Sequence, residues 1–189
     1  MIAALMVATL SANAQQMFIK PMAGMDLTTF TGDVDDTKMK VGLVAGAEFG
    51  YNLSEQFGLT AGLLYSMQGS KYKDIDDAQK CDYLNIPIMA NYYIIPGLAV
   101  KAGIQPGFML SAKSKADEHI GNGWVEYDHS GTDGYKKFDL SIPLGLSYEI
   151  SDFVIDARYN LGLTNVLDND NVKQKNSVIM LTVGYKIPF

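Results

Sequence analysis

The residues best suited to chemistry lie in one polar segment, between Lys113 and Lys136. This segment contains both histidines and the only tryptophan of the chain, together with a tyrosine and a serine that directly follows the second histidine. These residues are His119, Trp124, Tyr127, His129 and Ser130. A serine nucleophile needs a base within hydrogen-bond reach and a third group that orients the base. Adjacent residues in a loop meet neither condition by themselves, so we expect the protein not to be an enzyme.

The same segment is better suited to binding. Exposed aromatic side chains often anchor a partner at a protein surface. We therefore expect His119, Trp124, Tyr127 and His129 to mark a surface-binding loop.

Acidic residues are concentrated in this segment and in the other polar connections of the chain. Their carboxylate oxygens suit Ca²⁺ or Mg²⁺, but no cluster has the EF-hand spacing, with glycine at position six and glutamate at position twelve. We therefore expect solvated loops, with no cofactor and no dedicated metal site. The residues concerned are Asp33, Asp35, Asp36, Asp74, Asp76, Asp77, Asp117, Glu118, Glu126, Asp128, Asp133, Asp168 and Asp170.

The net charge of the 189-residue chain is −6. This value argues against nucleic acid as a partner, because phosphate neutralisation needs clustered lysine and arginine. The single cysteine, Cys81, excludes an intrachain disulfide.

Eight segments alternate between apolar and polar residues with the period of two that predicts β-strands. In the sixth, Phe138 and Leu144 belong to the apolar set, and Asp139 and Ser147 belong to the polar set. The predicted strands are Phe18–Thr29, Met39–Leu53, Phe57–Ser70, Asp82–Ile94, Leu98–Ala112, Lys137–Ile150, Phe153–Thr164 and Ser177–Phe189.

The connections between these segments alternate between short and long. The short ones have the length of hairpin turns and are Ser54–Gln56, Ile95–Gly97 and Ser151-Asp152. The long ones are polar and are Phe30–Lys38, Lys71–Cys81, Lys113–Lys136 and Asn165–Asn176. Short periplasmic turns and long extracellular loops are typical of bacterial outer-membrane barrels.

The short turns also predict strand register, because opposite residues of an antiparallel hairpin point to the same face. In every predicted pair, the two residues belong to the same set. The pairs are Ile150 with Phe153, Tyr148 with Ile155, Leu144 with Tyr159, Ser147 with Asp156, Gly145 with Arg158, Ala90 with Ala102, Ile88 with Ile104, and Asn91 with Lys101.

The orientation of the two faces distinguishes a membrane barrel from a soluble exported ligand-binding barrel, in which the apolar set would point inward. The polar set is rich in glycine, which suits a narrow eight-stranded interior and weakens a water-facing strand. Aromatic residues of the apolar set gather near the strand ends, as in the girdles of membrane barrels. We therefore expect the apolar face to contact lipid.

The inward face then carries charges that are nearly balanced in number, and we expect them to fill the lumen. They are Lys20, Asp26, Lys40, Glu48, Lys101, Lys137, Asp139, Glu149, Asp156, Arg158 and Lys186. Within this set we predict a lumen ion-pair network of Lys101, Glu48, Asp139, Glu149, Asp156, Arg158 and Lys186. Arg158 is expected to pair with Glu149, Asp156 or an acid on the side of the eighth strand. A filled lumen predicts no substantial ion conductance.

The first residues, 1–14, have an apolar run followed by Ala12-Asn13-Ala14, which indicates a signal peptide with an A-x-A cleavage site, although the usual positive charge is missing. The remainder, 15–189, is expected to form one barrel domain. Export to the bacterial outer membrane follows from this segment together with the alternating strands.

Three motifs carry a resemblance to a known family: GLLYSMQG at Gly62–Gly69, YLNIPI at Tyr83–Ile88 and GIQPG at Gly103–Gly107. In these motifs and their order the chain resembles the PorT-like outer-membrane β-barrel proteins of Bacteroidota, over essentially all of Gln15–Phe189. The resemblance implies the location and the fold. The C-terminal strand ending in Phe189 looks like the signal that the barrel-assembly machinery recognises on such proteins.

The sequence thus predicts an all-β protein, an eight-stranded antiparallel up-and-down transmembrane β-barrel. We expect a monomer with a filled lumen and a structural, adhesive or surface-binding role, in contact with outer-membrane lipid and lipopolysaccharide. The alternatives are a soluble exported ligand-binding barrel and an outer-membrane enzyme that modifies lipid A.

Overall fold

The computed structural model describes residues 17–32, 37–72, 78–120, 123–131, 134–168 and 173–189. Within these residues, all the regular secondary structure is β-strand. The strands are β1 (Met17–Gly32), β2 (Thr37–Lys38), β3 (Lys40–Asn52), β4 (Phe57–Tyr72), β5 (Ala78–Asn85), β6 (Ile88–Ile95), β7 (Leu98–Ile120), β8 (Gly123–Ser130), β9 (Phe138–Ile150), β10 (Phe153–Gly162), β11 (Gln174–Tyr185) and β12 (Ile187–Pro188). Within these ranges, no helix has the length and apolar character needed to cross a membrane.

These strands close into a barrel of eight. Four barrel strands consist of two consecutive segments each, namely β2 with β3, β5 with β6, β8 with β9, and β11 with β12. Each barrel strand pairs antiparallel with its neighbours in the chain, and β11 pairs with β1 from Met22 opposite Gly184 to Gly32 opposite Gln174. The predicted eight-stranded antiparallel up-and-down β-barrel is confirmed.

The short turns lie at one end of the barrel, which we call the short-turn end, and the long connections lie at the other, the long-loop end. At the turn between β9 and β10, Ser151 has a φ of 54°, and at the turn between β6 and β7, Gly97 has a φ of 87°. All eight residue pairs predicted from these two turns are present in the ladders β9–β10 and β6–β7.

The outer wall of the barrel is apolar. In β10, exposed and buried residues alternate without exception, from exposed Phe153 to buried Gly162. Leu144 is 49% exposed, whereas Ser147 on the opposite face is 6% exposed. A water-soluble barrel would show the reverse arrangement, so the soluble ligand-binding alternative is wrong.

Aromatic side chains form contacts on this outer wall close to its two ends. Near the short-turn end, Phe49 contacts Phe189, Phe57 contacts Tyr92, and Phe153 contacts Tyr185, with ring centroids 5.0–6.0 Å apart. Towards the long-loop end, the rings of Phe108 and Phe138 are 5.7 Å apart. Two aromatic belts of this kind are the arrangement expected at the two membrane interfaces.

The main departure from the predicted elements concerns the segment Lys113–Lys136. The sequence predicts a loop, but β7 continues to Ile120 and turns back into β8, with eight residue pairs from Lys113–Ser130 to Ile120–Gly123. The prediction of a loop is wrong because a polar hairpin that stands in water needs no apolar alternation. Its sequence therefore lacks the pattern by which the barrel strands are recognised.

Candidate functional site

Five charged side chains meet in the barrel interior, in its short-turn half. Lys20 lies on β1, Glu48 on β3, Lys101 on β7, and Asp156 and Arg158 on β10. All five are at most 5% exposed. We call this group the charge cluster. Lys20 and Glu48 are directly opposite each other in the β1–β3 ladder, and Asp156 and Arg158 are two residues apart on β10. The other contacts of the cluster cross the lumen between strands that are not neighbours.

The contacts within the charge cluster are short. Arg158 donates from Nε to Asp156 Oδ1 at 2.5 Å and from Nη2 to Asp156 Oδ2 at 2.9 Å. Its Nη2 also lies 2.6 Å from Glu48 Oε1. Lys101 Nζ lies 2.6 Å from Asp156 Oδ2, and Lys20 Nζ lies 2.8 Å from Glu48 Oε2. Asp156 Oδ2 also lies 3.8 Å from Lys20 Nζ, so each carboxylate contacts cations from two or more other barrel strands.

Three cations and two carboxylates leave the charge cluster with one positive charge in excess when all five are ionised. A buried ion group is tolerated only when the pairing is close and hydrogen bonds complement it, and removal of one partner is costly. The arrangement thus fixes the relative positions of β1, β3, β7 and β10. It does not provide a nucleophile with a base and an orienting group.

Glycines on the inner face make room for the cluster. A Cβ atom at Gly62 would lie 2.7 Å from Glu48 Cγ, one at Gly184 would lie 2.8 Å from Lys20 Cγ, and one at Gly145 would lie 3.0 Å from Arg158 Cγ. Side chains at these positions would collide with the charged residues. The glycine-rich inward set of the sequence indicates a crowded interior. Of these three contacts, the sequence predicts only that of Gly145 with Arg158, through the turn at Ser151-Asp152.

Four of the seven residues predicted for the lumen network belong to the charge cluster: Glu48, Lys101, Asp156 and Arg158. Lys20 belongs to it as well, although the sequence predicts it only as a member of the wider inward set. Of the acids expected to pair with Arg158, Asp156 does so, and the second partner is Glu48 on the second barrel strand.

Two other predicted residues form a separate pair nearer the short-turn end. Lys186 Nζ lies 3.0 Å from Glu149 Oε2 and 4.5 Å from the centroid of the Phe18 ring. The hydroxyl of Tyr93 donates to Glu149 Oε1 at 2.7 Å. These groups are only partly buried, so water competes with the pair.

The seventh predicted residue, Asp139, lies in the long-loop half. Its carboxylate accepts hydrogen bonds from Thr164 Oγ1 at 2.6 Å and from Asn176 Nδ2 at 3.3 Å. It is therefore held by neutral donors and lies apart from the charge cluster. Lys137, which the alternation assigns to the inward set, is exposed because it precedes β9 in the connection from β8.

Apolar side chains fill the lumen on the long-loop side of the charge cluster. Met22, Val44, Leu64 and Met180 pack together, and all are at most 5% exposed. A second apolar group lies nearer the long-loop end and consists of Phe30, Cys81, Tyr83, Met109, Ala112 and Val166. The charge cluster and these two apolar groups fill much of the described part of the interior.

The predicted surface-binding residues lie on the hairpin of β7 and β8. The backbone places His119 opposite Trp124, Ala116 opposite Tyr127, and Ser114 opposite His129. The side chains of these residues are outside the described part of the structure. The same is true of the side chains of the acidic candidates for cation ligands in the long connections, apart from that of Asp168. Among the described residues, no group of three or more His, Cys, Asp or Glu side chains is placed to hold a metal ion.

Comparison with known proteins gives a family and a fold. The model of the family described as "outer membrane protein beta-barrel domain" matches residues 11–168. The structure is similar to that of Ail, the attachment invasion locus protein of Yersinia pestis, crystallised with the heparin analogue sucrose octasulfate. The TM-score is 0.53 and the identity 17%, over 90% of this chain and 99% of Ail.

Neisserial surface protein A has a similar fold, with a TM-score of 0.51 and 13% identity over 92% of this chain and 97% of the other. None of the curated proteins matches the chain significantly. At such identities the structural similarity concerns the fold alone.

Proposed function

The chain belongs to the outer membrane protein beta-barrel domain family, and from this premise we propose that it binds a partner at the cell surface through its long-loop end. It is an eight-stranded β-barrel protein of the bacterial outer membrane. What remains to be assigned is which part of the molecule is available for a task beyond spanning the membrane.

The observation that carries the proposal is the hairpin of β7 and β8. β7 has 23 residues, and its ladder with β5 ends at Ser114. From Lys115 to Ile120, within the described residues, its only partner is β8. This two-stranded ribbon therefore extends past the barrel wall. The hairpin of β7 and β8 to which it belongs carries the only tryptophan and both histidines of the chain.

A filled lumen supports a role at the surface over a role as a pore. Eight strands leave an interior just wide enough for side chains, and here the charge cluster and two apolar groups occupy it. We expect the refolded protein to show no steady, reproducible channels in planar bilayers. Large and regular conductance steps would contradict the filled barrel and favour a porin.

The chemistry of the partner follows from the charge of the ribbon region. The segment Lys113–Lys136 contains five acidic residues and three lysines. Its net negative charge favours a partner that is neutral or basic, and disfavours a polyanion of the kind crystallised with Ail. The aromatic residues provide the contact area that such an interface needs.

Further features belong to the same proposal. We assign the chain to the PorT-like subtype on its three motifs, residues 1–14 to a signal peptide, and residues 15–189 to one barrel domain. The protein acts without catalysis and as a monomer, contacts lipopolysaccharide in its membrane, and is inserted by the barrel-assembly machinery through the strand that ends in Phe189.

Deletion of Asp117–Asp133 tests the surface role. The refolded protein in lipid vesicles is applied to an array of immobilised glycans and extracellular proteins, and we expect the deletion to abolish the binding that the full chain shows. A control deletion of residues 73–77, in another long connection, should leave that binding unchanged. Both variants should keep heat-modifiable gel mobility.

Two outcomes would overturn the proposal. If the deletion variant bound as well as the full chain, the partner site would lie elsewhere. If the variant failed to fold while the control deletion folded, the ribbon would be part of the scaffold.

A further inference from the structure

The ladder between β3 and β4 is interrupted near the long-loop end. It runs from Asn52–Gly58 to Val44–Ser66 and resumes, one residue out of register, at Lys38–Lys71. In the interrupted stretch, two backbone carbonyls of β4 accept hydrogen bonds from side chains. Lys40 Nζ donates to Gln68 O at 2.6 Å, and Thr28 Oγ1 donates to Gly69 O at 2.5 Å.

A cavity of about 480 Å³ lies beside this interruption. Its size is in the range of pockets that hold small ligands. It is lined by residues of β3, β4, β5 and β7, and so it extends over several neighbouring strands. Most of its lining residues are at least partly exposed, which shows that the cavity opens on the outer wall.

The charges around the cavity are mostly positive. Its lining includes Lys40, Lys80 and Lys113 but only one carboxylate, that of Asp82, which accepts a hydrogen bond from Ser111 Oγ at 3.0 Å. Lys80 and Lys113 are directly opposite each other in the β5–β7 ladder, and both are exposed. Like charges at directly opposite positions destabilise a sheet, and an anion between them would relieve that repulsion.

The other side of the cavity is apolar. Val41 and Leu43 of β3 line it and are 63% and 64% exposed on the lipid-facing wall. Lys80 lies four residues beyond Leu84, which pairs with Phe108 of the aromatic belt at the long-loop end. At a rise of about 3.3 Å per residue and a strand tilt of about 40°, the lysines are about 10 Å beyond that belt, where headgroups replace hydrocarbon.

We propose that this cavity binds the phosphorylated headgroup of an outer-leaflet glycolipid, with the phosphate between Lys80 and Lys113 and an acyl chain against Val41 and Leu43. Cationic and apolar walls side by side match an amphiphile whose anionic head joins its hydrocarbon at the membrane interface. The inference rests on the lipopolysaccharide contact proposed above and gives it a site. It is independent of the binding role proposed for the ribbon, because the deletion of Asp117–Asp133 leaves all these residues in place.

The double variant Lys80→Gln/Lys113→Gln tests the proposal. The full chain is reconstituted in phosphatidylcholine nanodiscs, and binding of diphosphorylated lipid A is measured by native mass spectrometry. We expect the double variant to bind this lipid about tenfold more weakly than the unmodified protein, because interfacial lysines provide much of the attraction for anionic headgroups. Lipid A without its phosphates should bind to both proteins equally weakly.

A charge-matched control is Lys137→Gln/Lys175→Gln, which removes two lysines of the long-loop end that do not line the cavity. It should bind diphosphorylated lipid A as the unmodified protein does. The proposal is overturned if the two double variants lose affinity equally, or if dephosphorylated lipid A competes fully. It is also overturned if inorganic phosphate alone occupies the site with the same affinity, since the ligand would then be a free anion. Heat-modifiable mobility confirms that each variant is folded.

Discussion

In the short-turn half of the barrel interior, five charged side chains from four strands contact one another across the lumen. In the long-loop half, apolar side chains form two packed groups, and the buried charges of the described residues there have neutral partners. Asp26 accepts a hydrogen bond from Ser66, and Lys40 donates to the carbonyl of Gln68. The two halves therefore use different interactions to hold the same eight strands.

The difference matters because a charge cluster demands more of the backbone than an apolar contact does. Ion pairs at 2.5–2.9 Å form only when the registers of all contributing strands are correct at once, whereas apolar side chains adapt to small shifts. The interrupted β3–β4 ladder and the ribbon of β7 and β8 both lie in the long-loop half. The half that contains the charge cluster is thus separate from the half that carries the ribbon, to which we assign binding.

The largest expected effect is that of Glu48→Gln. Glu48 contacts Arg158 at 2.6 Å and Lys20 at 2.8 Å, and its neutralisation leaves three cations against Asp156 alone. We expect a loss of about 3–5 kcal/mol in the free energy of unfolding. The matched change in the other half, Asp26→Asn, should cost about 1 kcal/mol or less, because the amide oxygen still accepts a hydrogen bond from Ser66.

Guanidinium titrations of the proteins in lipid vesicles, followed by heat-modifiable gel mobility, measure both values. If Glu48→Gln prevents folding, the double variant Glu48→Gln/Lys20→Met restores the single excess positive charge and should recover folded protein. Equal costs for Glu48→Gln and Asp26→Asn would show that the two halves do not differ in the way described.

Much of this fold can be predicted from the sequence because the barrel repeats two local rules. Alternation decides which face of a strand meets lipid, and a two-residue turn fixes the register of the strands that it joins. All the pairs predicted around Ser151-Asp152 are therefore present, Ser147–Asp156 and Gly145–Arg158 among them.

Contacts across the lumen are not local, and the sequence does not reveal them. That Lys20 and Arg158 share Glu48 depends on the tilt and stagger of strands that are far apart in the chain. Asp139 has the same alternation and charge as Asp156, yet it lies at a different height in the barrel and is held by Thr164 and Asn176. Period-two patterns give the facing of a residue but not its height relative to distant strands.

A smaller effect is expected from glycine substitutions that compare the packing of the two halves. In Gly62→Ala, the new Cβ would lie 2.7 Å from Glu48 Cγ and 2.8 Å from the carbonyl oxygen of Ala47. Neither atom can retreat without disturbing the charge cluster, so we expect a cost of about 1–3 kcal/mol.

The matched change in the long-loop half is Gly107→Ala. Its Cβ would lie 2.6 Å from Asn85 Oδ1, with the next atom at 3.6 Å on Tyr83. The amide at the end of the Asn85 side chain can rotate away, and the cost should stay below about 1 kcal/mol in the same titrations. A larger cost for Gly107→Ala than for Gly62→Ala would mean that the long-loop half is the more tightly packed one.

The smallest expected effect separates the polar contacts of the two halves, with two tyrosine hydroxyls as probes. The Tyr93 hydroxyl donates to the Glu149 carboxylate at 2.7 Å, and that carboxylate also holds Lys186. The Tyr83 hydroxyl accepts from the Asn176 amide at 3.3 Å, within the apolar group at the long-loop end. Tyr93→Phe removes a short hydrogen bond to a charged group and should cost about 1 kcal/mol, reduced by the partial exposure of the pair. Tyr83→Phe removes a long bond between neutral groups, and Asn176 keeps its contact with Asp139, so the cost should be about 0.5 kcal/mol or less.

Both variants keep the ring and its packing, and a difference in their guanidinium midpoints therefore reports on the hydroxyl alone. If Tyr83→Phe were the more destabilising of the two, polar contacts would govern the long-loop half as well, and the contrast between a specified half and an adaptable half would be lost.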